Sequence, residues 1–289
     1  MLTLCEPDTV VRNVYCIARA HDETCRIETA DELRQGFLTF LEARQPSVPI
    51  NSTGDVFVLD PVIQAKLSAA FSKGALNDLN QEDVVGEAYD SDVLETKTNI
   101  VRTALDDLLL RDEDFAFIFA LIVHSIFVRP SKPAKMAHGS HGGSTSASIG
   151  AIWLAVGDKI TQLDLTEMLI HELTHHLLFV DELNHPQFQY KRIKLRENYA
   201  LSAILKRQRP LDKVVHSIVV GASIIDARRR FLGNHEPTLI HPATPELEKD
   251  VLAAIDSVNT MPNITELITP HMRSIIDECS MLCKQPLLQ

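Results

Sequence analysis

The sequence lacks the features of a secreted, membrane-spanning or nucleic-acid-binding protein. Residues 1–8 have neither the basic start nor the apolar run of a secretory signal, and no uninterrupted apolar run reaches membrane-spanning length. Positive charge is scarce: 28 Lys and Arg face 39 Asp and Glu, which gives a formal net charge of -11. This balance argues against nucleic acid and favours a neutral or basic partner. We expect a cytoplasmic protein that contacts neither nucleic acid nor a membrane.

The five cysteines include no C-x-x-C pair. A zinc knuckle and a thioredoxin-type redox motif both need such closely spaced thiols, so both are excluded. Cys279 and Cys283 stand four residues apart in a segment that is predicted to be helical. Free cysteine is among the most often buried residue types, and we predict that these two pack in the interior.

The composition is that of a folded chain, and its periodicity favours helices. With 289 residues, 45% of them hydrophobic and 23% charged, the chain has ample material for a core. Apolar spacing predicts a predominantly α-helical α+β fold with a strand at 149–156. We predict an N-terminal helical region over 1–95, for substrate recognition or scaffolding, and a metal-binding catalytic region over 96–289; the alternative is one continuous domain. The main predicted helices are Ala30–Leu41, 61–71, 96–110, 114–127, 165–180, 195–205, one that starts at Pro210, and two within 245–284.

The pentapeptide His-Glu-Leu-Thr-His at 171–175 is an H-E-x-x-H motif. His171 and His175 are four residues apart, so on a helix both imidazoles point to the same side, where one metal ion can bind them. Glu172 is rotated by about 100° from His171, which brings it close to a metal-bound water without forcing it to ligate. A histidine pair on an apolar helix is costly to bury unless its nitrogens are satisfied, and a metal ion would satisfy them. The motif therefore predicts a metal site.

The flanking sequence places this motif on a core helix that follows a strand. Asp164 and Glu167 have the spacing of a capping box, which predicts that the helix starts at Leu165. The strand at 149–156 and the helix after it resemble the core of zincin-like proteins, in which an edge strand can hold an extended peptide. Between 129 and 148 the chain is rich in Gly, Ser and Pro, which predicts a lid.

Three residues compete to be the third metal ligand. Asp181 stands six residues after His175, as in metzincins, but the glycine that turns the chain in those proteins is missing. Glu197, 22 residues after His175, has the spacing of a thermolysin-type ligand from a later helix. His216 lies in the second turn of a predicted apolar helix, where a histidine is often a core residue. Because the motif needs a third ligand, we favour His216 and keep the other two as alternatives.

A resemblance supports this choice. Residues 208–218, Gln-Arg-Pro-Leu-Asp-Lys-Val-Val-His-Ser-Ile, are similar to a segment of the H-E-x-x-H-type 2-oxoglutarate-dependent peptide β-hydroxylases. In that family an Arg-Pro-Leu-Asp-like turn precedes a third histidine, and the enzymes occur beside genes for ribosomally made, modified peptides. The Ser-rich loop and the strand before the motif also resemble the family, so the likeness spans about residues 145–232. It implies a zincin-like core with a small sheet, whose metal site binds iron and catalyses oxygenation. The pentapeptide alone is also identical to that of thermolysin.

Two chemistries would use the motif differently. In an Fe(II) oxygenase, facial protein ligands leave two positions for chelating 2-oxoglutarate and one for O2. Imidazoles suit iron as well as zinc, and Glu172 would orient a ligand or a water molecule. In a zinc metallopeptidase of the gluzincin type, Glu172 is the general base that deprotonates the metal-bound water. Glu172 is the predicted catalytic residue in either case.

An oxygenase also needs a cation for the far carboxylate of 2-oxoglutarate. Arg209 has the required forked guanidinium and directly precedes the helix of His216, and Ser146 and Ser148 are further candidate cofactor-binding residues. We predict Fe(II)- and 2-oxoglutarate-dependent hydroxylation of an amino-acid β-carbon in a peptide or carrier-bound substrate, in peptide natural-product biosynthesis. The alternatives are the zinc peptidase and a binding module with a vestigial metal site.

Overall fold

The computed structural model describes residues 1–71, 84–132, 141–233 and 237–285. In these ranges the chain is mostly helical and has two small sheets, so the predicted helical α+β class is confirmed. None of the helices in the described ranges combines the length and the apolar character needed for a membrane crossing. The predicted roles of 1–95 and 96–289 stay predictions.

The chain folds into two units, each described here by itself. The N-terminal unit contains the described residues between 7 and 180. The C-terminal unit contains those from 181 onward together with residues 1–6.

Six helices and a three-stranded sheet build the described part of the N-terminal unit. The helices predicted at 30–41, 61–71 and 96–110 are confirmed, although the third begins at Ser91, five residues before its predicted start. Thr29 forms a capping box with Glu32, and Asp60 accepts from two backbone amides of the next turn. The elements are α1 (Pro7–His21), α2 (Ala30–Arg44), α3 (Pro61–Ala69), α4 (Ser91–Leu109), α5 (Glu113–Ile122), β1 (Ser125–Val128), β2 (Gly142–Gly143), β3 (Ala151–Leu154) and α6 (Gln162–Asn184), which belongs to this unit up to Val180.

The sheet has the order β1-β3-β2. Strand β1 runs parallel to β3, with Phe127 opposite Trp153, and β2 runs antiparallel to β3, with Gly143 opposite the same tryptophan. Trp153 is fully buried. The predicted strand at 149–156 is confirmed as β3, whereas the helix predicted over 114–127 is wrong in its last part. It ends at Ile122, because the following residues are extended and pair with β3.

The turn that leads into β3 is held by buried side chains. Gly150 has a φ of +86°, and a Cβ there would lie 2.6 Å from the His124 ring, so only glycine fits. His124 Nε2 donates to the carbonyl oxygen of Ile149 at 3.2 Å, and Gln45 donates to the same oxygen at 3.1 Å. Ser125 Oγ donates to His124 Nδ1 at 2.8 Å. These bonds fix the backbone just ahead of the strand.

The C-terminal unit is helical apart from one hairpin. The helix predicted over 195–205 is wrong: Arg196–Asn198 form a 3-10 turn, and a hairpin follows. The predicted helix near Pro210 is confirmed, although Pro210 is its N-cap rather than its first residue, and both helices predicted within 245–284 are present. The elements are α7 (Tyr190–Ile193), β4 (Tyr199–Leu201), β5 (Gln208–Pro210), α8 (Leu211–Ala227), a π-helical turn (Arg228–Leu232), α9 (Thr244–Asn259), α10 (Ile264–Leu267) and α11 (Pro270–Lys284).

Helix α8 is the buried helix of this unit and packs against α9 and α11. The approach of α9 is close at Gly221, where a Cβ would lie 2.5 Å from a methyl group of Val251. The chain start is bound to the same helices, because the backbone amide of Thr3 donates to Glu278 at 3.0 Å. All five cysteines are free, and the predicted burial of Cys279 and Cys283 is confirmed.

Candidate metal centre

Helix α6 carries the H-E-x-x-H motif and begins at Gln162, three residues before the predicted start. The backbone amide of Asp164 donates to Thr161 Oγ1 at 3.1 Å, and the backbone amide of Thr161 donates to Asp164 Oδ2 at 2.8 Å. This reciprocal pair satisfies amides that the first helical turn would otherwise leave open. The capping box predicted at Asp164 and Glu167 is therefore wrong, because Asp164 is already inside the helix.

His171 and His175 lie side by side on one face of α6, and both are half-buried. Their ring centroids are 5.0 Å apart, and the ring planes make an angle of 62°. An imidazole nitrogen binds zinc at about 2.0–2.1 Å, so the ring centroid lies about 3.2 Å from the ion, and two rings on a tetrahedral ion have centroids about 5 Å apart. The observed separation fits a shared ion.

Glu172 is buried on the adjacent face of α6 and is bound by Ser144. Only 4% of Glu172 is exposed, and its Oε2 accepts a hydrogen bond from Ser144 Oγ at 2.8 Å. Ser144 directly follows β2, so the edge strand positions the hydroxyl. Burial raises the pKa of Glu172 to about 8, and the hydrogen bond from Ser144 opposes this rise. A carboxyl group with such a pKa both accepts and donates protons near neutral pH.

His176, the next residue after the motif, attaches α6 to the start of β3. Its Nδ1 accepts from the backbone amide of Gly150 at 3.2 Å, and its Nε2 donates to the carbonyl oxygen of Ala151 at 3.2 Å. This pattern requires a neutral ring, and burial lowers the pKa of His176 to about 3. Sequence reasoning gave this residue no role, because its partners lie 26 and 25 positions earlier.

His216 and Arg209 belong to the C-terminal unit. His216 is buried in the second turn of α8. Burial, followed by the positive charges of Lys213 and Arg209, lowers the pKa of His216 to about 3. A neutral imidazole is the form that ligates a metal. Arg209 is half-buried and lies on β5 opposite Ala200, and its charge therefore acts on His216 from a strand rather than from a turn.

The two alternative third ligands have different surroundings. Asp181 is buried, and its carboxylate accepts hydrogen bonds from His271 Nε2 at 2.9 Å and from Gln187 Nε2 at 2.9 Å. Helix α6 continues past it to Asn184, so the chain does not turn where a metzincin would. Glu197 is exposed and lies in the 3-10 turn, not on the helix that the thermolysin-type arrangement needs.

The serine-rich segment before β3 presents its hydroxyls differently. Ser146 is exposed. Ser148 is fully buried, and within the described part of the chain its Oγ has no hydrogen-bond partner. Part of the predicted lid at 129–148 is the edge strand β2, which the carbonyl of His141 prolongs by accepting from Ala155 N at 2.8 Å. The residues of this lid from 133 to 140 lie outside the described residues.

In the ranges that the structure describes, no group of three or more His, Cys, Asp or Glu side chains is arranged to hold a metal ion. His171 and His175 belong to the N-terminal unit and His216 to the C-terminal unit, so the three-histidine set stays a prediction. The chain matches no protein-family model, and comparison with curated proteins finds no similar one. The functional interpretation therefore rests on the side chains of α6 and α8.

Proposed function

We propose that the protein is an Fe(II)- and 2-oxoglutarate-dependent hydroxylase that acts on the β-carbon of an amino-acid residue in a peptide or carrier-bound substrate. The main supporting observation is the pair formed by His171 and His175, whose ring centroids, 5.0 Å apart, are close enough for both imidazoles to bind one ion. His216 is the proposed third ligand, and Arg209 the proposed partner of the far carboxylate of 2-oxoglutarate. Iron with 2-oxoglutarate and O2 supplies the oxidising chemistry that converts C–H to C–OH, with succinate and CO2 as co-products.

The surrounding residues keep the histidine pair in place. His176 attaches a neighbouring side of α6 to the start of β3 through two hydrogen bonds, so the helix that carries the pair is fixed to the sheet. Ser144 fixes the side chain of Glu172, which would orient a ligand or a water molecule. Functional sites need such support, because small displacements of the reacting groups are costly.

One observation favours zinc peptidase chemistry as a second candidate. The pKa of Glu172 is raised to about 8 by burial, which suits a residue that takes a proton from a water molecule and later returns it. A hydroxylase makes no such demand on this carboxyl group.

The decisive test is turnover with each metal. Protein prepared without oxygen is loaded with Fe(II) or Zn(II), exposed to air with 2-oxoglutarate, and assayed for succinate, while peptide cleavage is assayed in parallel. We expect Fe(II)-dependent succinate formation that falls at least about 100-fold in His216→Ala, as expected for loss of a ligand. Glu197→Gln should retain the activity, because Glu197 is exposed in a separate turn.

Zn(II)-dependent peptide cleavage without succinate would refute the hydroxylase. Cleavage that Glu197→Gln abolishes would assign the third ligand to Glu197 instead of His216. Succinate formation that His216→Ala leaves unchanged would refute the proposed ligand set.

A further inference from the structure

A polar cluster lies at the start of α8, within the C-terminal unit. It consists of Glu182 near the end of α6, Tyr190 at the start of α7, and Asp212 and Lys213 in the first turn of α8, whose charges both act on Glu182. Tyr190 Oη donates to Glu182 Oε1 at 2.5 Å. Lys213 Nζ lies 3.5 Å from Asp212 Oδ2. Tyr190 is exposed and Glu182 is half-buried, so the cluster is open to solvent on one side.

Asp212 is the member of this cluster whose hydrogen bonding is incomplete. It is 5% exposed, and no donor in the described ranges reaches its Oδ1. A buried carboxylate oxygen without a donor costs free energy, more than a neutral group would. The N-cap of α8 is Pro210, whose side chain forms no capping hydrogen bond. Among the described residues this oxygen is therefore left available to a donor from a bound substrate.

The charges of the cluster favour a positively charged donor. Glu182 and Asp212 contribute two carboxyl groups, and Lys213 contributes one ammonium group. Because the two carboxyl groups outnumber the one ammonium group, a bound cation would balance the excess negative charge and would gain charge-assisted hydrogen bonds.

The cluster also has a defined position relative to the proposed ligand His216. Asp212 and His216 are four residues apart on α8 and so lie on the same side of the helix, about 6 Å apart along its axis. A group bound at Asp212 would thus be held about one helical turn from the imidazole.

We propose that Asp212, Glu182 and Tyr190 form a subsite for a protonated amine or guanidinium group of the substrate. The proposal deepens the proposed function, on which it rests for the role of His216, by naming a cationic residue in the peptide or amino-acyl substrate. The formal net charge of -11 favours the same class of partner.

The test compares probes that differ only in charge. N-acetyl-lysine amide and its neutral analogue N-acetyl-norleucine amide are titrated into the full chain, without iron or 2-oxoglutarate, and binding is followed by ligand-observed NMR. N-acetyl-arginine amide and N-acetyl-citrulline amide form a second pair. We expect each cationic probe to bind at least 10-fold more tightly than its neutral partner, and Asp212→Asn, which keeps the shape of the side chain, to reduce the ratio below 2-fold.

The matched control is Asp250→Asn. Asp250 is a part-buried carboxylate of the same unit that pairs with Lys206 at 2.9 Å, outside the cluster, and its loss should leave the ratio unchanged. Glu182→Gln is a second variant in the cluster and should lower the ratio even if Asp212→Asn fails to fold. Equal binding of charged and neutral probes by the unmodified chain would overturn the proposal, as would a cation preference that survives both cluster variants.

The binding assay tests the subsite and the succinate assay tests the hydroxylase, so either proposal can be refuted without the other. Cation binding that depends on Asp212, without any succinate formation, would support the subsite and refute the hydroxylase. Succinate formation without a preference for the cationic probes would support the hydroxylase and refute the subsite.

Discussion

At the scale of single residues, the strength of the hydrogen bond between Ser144 and the carboxyl group of Glu172 should depend on pH. Ser144 donates to it at 2.8 Å, and burial keeps its pKa near 8, far above that of a solvated carboxyl group. The carboxyl group is therefore largely protonated at pH 6 and largely ionised at pH 9. A hydrogen bond to an ionised acceptor contributes about 1.5–3 kcal/mol, whereas one between neutral groups contributes about 0.5–1.5 kcal/mol.

We therefore expect Ser144→Ala to lower the free energy of unfolding more at pH 9 than at pH 6, by about 1 kcal/mol. The measurement is urea unfolding of the metal-free chain at both pH values. Ser146→Ala is the control, because Ser146 is exposed in the same segment and its loss should change the stability by less than about 0.5 kcal/mol at either pH. An equal loss at both pH values for Ser144→Ala would show that the hydroxyl does not serve the ionised carboxylate.

Spacing within the motif predicted the histidine pair but not the residues that support it. His171 and His175 are four residues apart, and the periodicity of a helix alone places them together. The bond from Ser144 to Glu172 joins residues 28 positions apart, and that from Gly150 to His176 joins residues 26 positions apart. Such contacts depend on how β2 and β3 pack against α6, which local spacing does not encode.

At the scale of elements, most of the predicted helices and strand β3 were confirmed, whereas helix α1, strand β1 and the hairpin of β4 and β5 were not predicted. Residues 123–128 are buried, mostly apolar and follow a helix directly, and periodicity cannot distinguish a buried strand from a continued buried helix. The hairpin of β4 and β5 turns at Lys206, which has a φ of +49°. Lysine is not a residue that marks such a turn, so the sequence carried no signal for the hairpin.

The buried histidines at the start of β3 should make the stability of the chain depend on pH. Burial lowers the pKa of His124 to about 4, whereas an unfolded chain protonates histidine near 6.5. Below pH 6.5 the unfolded state therefore binds more protons, and stability falls as the pH decreases towards 4. His176 acts in the same direction, since its pKa is about 3. When the pH is lowered from 7 to 5, the free energy of unfolding should fall by about 2 kcal/mol less in His124→Gln than in the unmodified chain.

Fluorescence of Trp153 is the natural measurement, because it is the one tryptophan of the sequence and is fully buried in β3. Ser125→Ala is the matched control: it removes the hydrogen bond to His124 but keeps the titrating ring. Its stability should be lower by about 1 kcal/mol at every pH, with the pH dependence unchanged. If the free energy of unfolding fell equally with pH in His124→Gln and in the unmodified chain, His124 would not be a neutral buried residue.

At the scale of the whole molecule, a bound metal ion should be visible in the stability of the chain. A ligand that binds the native state stabilises it by about 2.7 kcal/mol at a concentration of 100 times its Kd. In a large chain, 1 kcal/mol corresponds to about 2–4 °C in Tm. The unfolded chain also offers 12 histidines, so any metal it binds reduces this gain.

We expect Zn(II), or Fe(II) without oxygen, to raise the Tm by about 5–10 °C, and a chelator to reverse the rise. His171→Ala, His175→Ala and His216→Ala should each lose most of it, because a site with two remaining ligands binds far more weakly. Glu197→Gln should keep the full rise. If His216→Ala kept it while Glu197→Gln lost it, the third ligand would be the carboxylate, and zinc peptidase chemistry would follow. If His171→Ala kept it as well, the stabilising ion would bind away from α6, and the geometry of the histidine pair would no longer support a metal centre there.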